Sequence, residues 1–150
     1  MADQINTTFF RLFNEIGIIE QLSRTMFEAR LPKGMLVSHF SVLNHLIRVA
    51  DGRTPLELAR AFQVAKTTMT HTITTLEKHG LIEVRPNPED KRSKQVWISP
   101  SGREFRDQAI ASLSPDFEIL AEKFSIDKVR KMLPPISELR AVLDVQRGQS

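Results

Sequence analysis

The sequence predicts a mainly α-helical chain carrying one small β-hairpin, and three observations support that class. Residues 65–80 repeat apolar side chains at helical spacing. Residues 54–62 do the same behind a capping signature, with only Gln63-Val64-Ala65 left between the two segments. Two short alternating runs, 81–85 and 94–98, then flank a polar loop. Together these predict a helix-turn-helix followed by a two-stranded wing, with further helices on either side.

Taken in order, residues 5–29 form a long helix whose apolar series is Ile5, Phe9, Leu12, Phe13, Ile16, Ile19, Leu22 and Met26. Phe10, Ile18 and Phe27 lie off that stripe. A helix that is apolar on more than one face needs two neighbours, which predicts its own core on one side and a partner subunit on the other. The plainer alternative is a terminal helix lying on its own core. Leu31-Pro-Lys-Gly34 breaks the helix. Ser38 is the expected N-cap of a scaffold helix bearing Phe40, Leu43, Leu46, Ile47 and Ala50, stopped by Asp51-Gly52.

Thr54-Pro55-Leu56-Glu57 is a capping box with proline at the first helical position, ahead of Leu58, Ala59 and Phe62. Val64 is expected to plug the corner between this helix and the next. The second helix buries Ala65, Met69, Ile73 and Leu76, and Gly80 supplies its left-handed terminus. Strands 81–85 and 94–98 point Ile82, Val84, Val96 and Ile98 inward. The loop Pro86-Asn-Pro-Glu-Asp-Lys-Arg-Ser93 is too long for a tight turn. Ser99-Pro100 opens a helix marked by Phe105, Ala109, Ile110, Leu113, Phe117, Leu120 and Phe124, kinked or restarted at Pro115. Ser125 caps a further helix, expected to break at Pro134-Pro135. A last helix carries Ile136, Leu139, Val142 and Leu143 to about residue 145, before a polar tail at 146–150.

The second helix of the pair carries the chemistry. Opposite its apolar stripe stand Thr67, His71, Thr74 and Lys78, flanked by Thr68, Thr70 and Thr75, with Lys66 at the start. No carboxylate occurs between Lys66 and Leu76. Hydroxyls, an imidazole and lysines without negative charge suit phosphate oxygens and base edges in a DNA groove. Threonine is a poor helix former, so six of them are costly on a surface with no task.

The stretch from Leu58-Ala59 to Gly80-Leu81-Ile82, followed by Pro88-Glu89-Asp90-Lys91-Arg92, Ile98-Ser99 and Gly102, resembles the MarR family of bacterial transcriptional regulators. The Asp-x-Arg of the wing is the most specific part of the likeness. The resemblance implies that Arg92 enters a minor groove while Asp90 holds it, and that Thr67, Thr68, Thr70 and His71 face bases. Many members carry Arg where this chain has His71, so operator preference does not carry over. The resemblance also implies an effector, a small aromatic acid or other xenobiotic, bound between the dimer helices and the DNA-binding lobe. Phe13, Leu36, His39, Phe40 and Phe117 are the candidate walls, with ordinary core packing as the other reading.

Composition agrees. The 150 residues, 41% hydrophobic and 26% charged, make about one domain. We divide it into a winged helix-turn-helix lobe at 36–100 and dimerisation helices at 5–30 and 101–146. Residues 51–100 hold eight Lys/Arg against six Asp/Glu, and the wing from Arg85 to Lys94 holds four against two. So modest an excess makes DNA affinity depend on a placed, doubled patch in which Lys66, Lys78, Lys91 and Lys94 meet phosphates. Without cysteine there is no disulfide, thiolate metal site or thiol sensor. His39, His45, His71 and His79 include no i, i+4 metal-ligand pair on one helix, so no metal and no cofactor are expected. With no signal peptide or membrane-length apolar run, a cytoplasmic protein is expected. No nucleophile elbow, phosphate-cradling glycine loop or close carboxylate pair on an apolar face supports catalysis. The expected function is a homodimeric DNA-binding regulator, a repressor, on a pseudopalindromic operator. The alternative is a winged helix used for protein–protein contact or architecture.

Overall fold

The computed structural model describes residues 1–148, which form seven helices and one antiparallel hairpin. In order they are α1 (Ala2–Glu28), α2 (Val37–Arg48), α3 (Pro55–Phe62), α4 (Lys66–Lys78), β1 (Ile82–Pro86), β2 (Lys94–Ile98), α5 (Pro100–Ala111), α6 (Ser114–Lys123) and α7 (Ile126–Arg147). Residues 149 and 150 of the expected polar tail lie outside the described residues. The chain divides into two compact units, Met1–Ser112 and Leu113–Ser150.

In the first unit the core is built where the helix-turn-helix meets its scaffold. Leu43 and Leu46 of α2, Leu58 and Ala59 of α3, Met69, Ile73 and Leu76 of α4, and Ile82, Val96 and Ile98 of the hairpin are all buried. Leu31 and Met35, in the break after α1, join them, as does Ala109 of α5. Phe27 at the end of α1 packs against Phe40 with ring centroids 4.6 Å apart and the rings tilted by 52°. Thus α5, assigned from sequence to dimerisation, also packs on the winged helix-turn-helix, where Phe105 lies against the core and Arg106 Nε donates to Asn44 Oδ1.

The expected helix ends are largely present. Thr54 Oγ1 accepts from the Glu57 amide while Glu57 Oε1 accepts from the Thr54 amide, both at 3.1 Å. That backbone hydrogen bond, together with Arg53, holds the Glu57 carboxyl below the usual carboxylate range. Helix α4 ends in a Schellman motif: Gly80 has φ +70°, its amide donates to Glu77, and the Leu81 amide reaches back to Leu76. The pairing Ile82↔Ile98 and Val84↔Val96 puts the four expected residues on one face.

Other expectations are corrected. Ser38 does not cap α2, whose N-cap is Leu36, two residues earlier. His39 Nδ1 accepts from the Leu36 amide at 2.8 Å, and Glu28 takes the Val37 amide from the end of α1. Val64 does not plug the helix-turn-helix corner. Gln63 is left-handed (φ 53°), the turn closes by Val64 N–H to Ala59 O, and the Val64 side chain stays 39% exposed. Ala65 is exposed as the N-cap of α4 and is not part of the buried stripe. Leu81 belongs to the helix cap and not to the first strand.

In the second unit α6 restarts at Ser114-Pro115 as expected, and Ser125 caps α7 through the Asp127 amide. Pro134-Pro135 does not break α7, which runs continuously through both. Each proline removes its own N–H bond and crowds the carbonyl four residues earlier, but its fixed φ is compatible with a helix, and the helix continues through the pair.

Candidate nucleic-acid interface

Two elements form the site, and one piece of chain fixes them to each other. Helix α4 is pinned from below by buried Met69, Thr72, Ile73 and Leu76. This leaves Lys66, Thr67, Thr68, Thr70, His71, Thr74 and Lys78 exposed on the outer side. The hairpin is bolted to the segment between α2 and α3. There Asp51 Oδ1 accepts from the Ile98 amide at 2.9 Å, and the Arg53 carbonyl accepts from the Val96 amide at 2.7 Å. Gly52 (φ +69°) lies under the indole of Trp97, where a Cβ would come within 2.5 Å of the ring. Sequence reasoning took Asp51-Gly52 only as a helix stop. An Asp-Gly pair is an ordinary turn signal, so nothing local marks it as the wing's anchor.

The loop between the strands is organised by Asp90. Its Oδ1 accepts from the Arg92 amide at 3.0 Å and from Arg92 Nε at 3.3 Å, and its carbonyl accepts from the Ser93 amide. Asn87 braces the other limb through Ser93 Oγ and the Glu89 amide. The Arg92 side chain is 93% exposed even so. A guanidinium held at its root and free at its head is arranged to reach an external anion. Lys66, Lys78, Lys91 and Lys94 make no ion pair among the described residues.

The threonines of α4 are not equivalent. Thr70 donates to Lys66 O, Thr72 to Thr68 O, Thr74 to Thr70 O and Thr75 to His71 O. The hydroxyls of Thr67 and Thr68 make no hydrogen bond among the described residues. His79 Nδ1 lies 2.8 Å from Thr75 O.

The candidate effector walls have different local surroundings. Phe13 and Leu36 are exposed, and Phe117 lies in the second unit. His39 is buried and committed to the Leu36 amide; burial, then the charges of His79 and His71, lower its pKa. A cavity of about 250 Å³ lies elsewhere, behind α4. It is lined by Arg24, Ser38, Phe62, Val64, Thr68 and Thr72, among others. Among the described residues no three metal-ligating side chains cluster, and no helix is long and apolar enough to cross a membrane.

Comparison with known proteins agrees with this geometry. The sequence model of the MarR family matches residues 33–93, from the start of the lobe to the end of the wing loop. The transcriptional activatory protein BadR of Rhodopseudomonas palustris is 32% identical over 100 residues, covering 65% of this chain and 55% of that protein. A crystal structure of MarR superposes with TM-score 0.82 over 93% of this chain and 95% of that one, at 23% identity, a likeness of fold. Wild-type apo MarR from E. coli gives 0.73 at 25% identity, covering 85% and 95%. A mutant E. coli MarR complexed with operator DNA gives 0.69 at 25%, covering 88% and 95%. Residues 33–93 match the MarR family of transcriptional regulators, and the structure shares the fold of its solved members.

Proposed function

We propose that this chain is a sequence-specific double-stranded DNA-binding regulator acting as a homodimer. One observation carries the reading: an exposed, carboxylate-poor face on α4 beside a wing whose Arg92 is rooted by Asp90 and open at its head. In this reading the helices at 5–30 and 101–146 hold a two-fold dimer. Two copies of α4 then enter successive major grooves about 10 bp apart, and the operator is pseudopalindromic. Thr67, Thr68, Thr70, His71 and Thr74 face bases, and Lys66, Lys78, Lys91 and Lys94 meet phosphates. Arg92 enters a minor groove, where narrow A·T tracts concentrate negative potential.

Repression requires an operator that overlaps the promoter, and the same contacts serve activation where it does not. A small aromatic or xenobiotic effector releases DNA by favouring a dimer with mis-spaced recognition helices. The cavity behind α4 supports this, because Thr68 and Thr72 form part of its wall. A winged helix used only for protein contact or architecture needs neither the threonine face nor the Asp90–Arg92 pair. Selection of bound duplexes from random DNA, followed by footprinting, is the test. A protected inverted repeat is expected, and retention of no sequence over random DNA overturns the reading.

A further inference from the structure

The outer side of α4 lacks the side chains that usually name a base. Between Lys66 and Lys78 there is no arginine, asparagine or glutamine, and the one acid, Glu77, lies at the C-terminal end. Bidentate pairing to guanine or adenine is therefore missing from the middle of the face. What stands there is His71 among threonines, and the hydrogen bonds sort those threonines into two kinds. Thr70 and Thr74 each spend their hydroxyl proton on the carbonyl four residues earlier, at 2.9 Å. Thr67 and Thr68 keep theirs.

A threonine carries oxygen and methyl on one tetrahedral carbon. With the oxygen drawn against the preceding turn, the methyl is the group offered to whatever lies in front. Thr70 and Thr74 are both exposed and stand four residues apart, hence one above the other on one line of the helix. Their separation along the axis is about 6 Å, comparable to two base steps of about 3.4 Å. The result is a narrow apolar strip with donor hydroxyls at the N-terminal end and an imidazole alongside. In a major groove the one apolar feature that a base pair presents is the thymine C5-methyl.

We propose that Thr70 and Thr74 are specificity-determining residues that read thymine methyl groups, so the preferred half-site carries thymines about two base pairs apart beneath α4. This rests on the DNA-binding reading and deepens it by naming the class of DNA. The thymine requirement lies in the major groove and is separate from any A·T preference of the wing.

The test begins with a duplex selected from random DNA. Each thymine is then replaced in turn by deoxyuridine, which removes the methyl and nothing else. Affinities are measured for wild type and for Thr70→Ser, Thr70→Val, Thr74→Ser and Thr74→Val, with thermal unfolding checked for each. At one position per half-site for each threonine, uracil should weaken wild type about fourfold, the value of one buried carbon. The serine variant, which keeps the hydroxyl, should lose that discrimination at its own position. The valine variant, which keeps the methyl, should retain it. A selected sequence bound equally well with uracil at every position overturns methyl readout while leaving DNA binding intact. So does a valine variant as indifferent to uracil as the serine variant, because the hydroxyl is then the reader. Selection of no sequence at all removes the DNA-binding reading, and this proposal with it.

Discussion

Replacing Arg92 by alanine separates the wing's electrostatic role from the fold. The side chain is 93% exposed, and its one ion pair, to Asp90, is itself at the surface, so stability should hardly change. The bond from the Arg92 amide to Asp90 Oδ1 survives the substitution and keeps the loop in shape. DNA binding should change in a defined way. Each phosphate-neutralising cation contributes roughly 0.9 to the slope of log K against log salt, so a dimer loses about 1.8. Between roughly 50 and 200 mM salt, wild type should therefore lose about twelvefold more affinity than the variant. Base preference under α4 should remain. Asp90→Ala should give a weaker form of the same effect, because it frees the Arg92 backbone and head without removing the charge. Titrations on operator and scrambled duplexes at several salt concentrations measure both quantities. A variant with wild-type affinity and slope, and unchanged unfolding, refutes the minor-groove role and makes the wing a plain hairpin.

Thr68→Ala and His71→Ala should do the reverse, keeping most of the salt slope while binding operator and random DNA more equally, by about 1–3 kcal/mol per discriminated position. In a 27-residue α1 no residue is buried, and Phe9, Phe10 and Leu22 are among its exposed side chains. Sedimentation at micromolar concentration should thus show a dimer, and a well-folded monomer would exclude paired half-site binding. Gly102→Ala puts a Cβ 2.1 Å from the Leu81 carbonyl, so the first turn of α5 must leave the cap of α4. A net loss of about 1–2 kcal/mol remains after the helix-propensity gain, lowering Tm by roughly 2–8 °C; an unchanged Tm contradicts this. Burial keeps His39 neutral and its pKa below the ordinary value, so the unfolded chain binds the proton more readily. Stability from this group is whole above about pH 6.5 and falls as pH drops towards the lowered folded pKa. Tm measured from pH 7 to 5 should fall less steeply in His39→Gln, whose amide oxygen still accepts from Leu36 but does not titrate. An equal slope in both proteins assigns the loss elsewhere, with His45, also lowered by burial, the next group to test.

What could be read from the sequence depended on how local its cause was. The Thr54 capping box, the glycine terminus of α4 and the alternation in the two strands are satisfied within a few residues, and all three are present. The start of α2 is not local. Ser38 is the better cap by propensity, yet His39 and the distant Glu28 take the amides and shift the cap by two residues, to Leu36. The Val64 corner failed because Gln63 adopts a left-handed backbone without being glycine or asparagine, which turns the next side chain outward. Pro134-Pro135 failed for a different reason: periodicity cannot distinguish a helix that stops from one that loses two hydrogen bonds and continues. At the site, residue types were legible but not their states. Six threonines on one helix read as one polar surface, whereas the structure buries Thr72 and divides the others by where each hydroxyl proton goes. That division decides whether a threonine meets DNA as a donor or as a methyl group. It arises from side-chain rotamers chosen against the helix's own carbonyls, information that spacing alone does not contain.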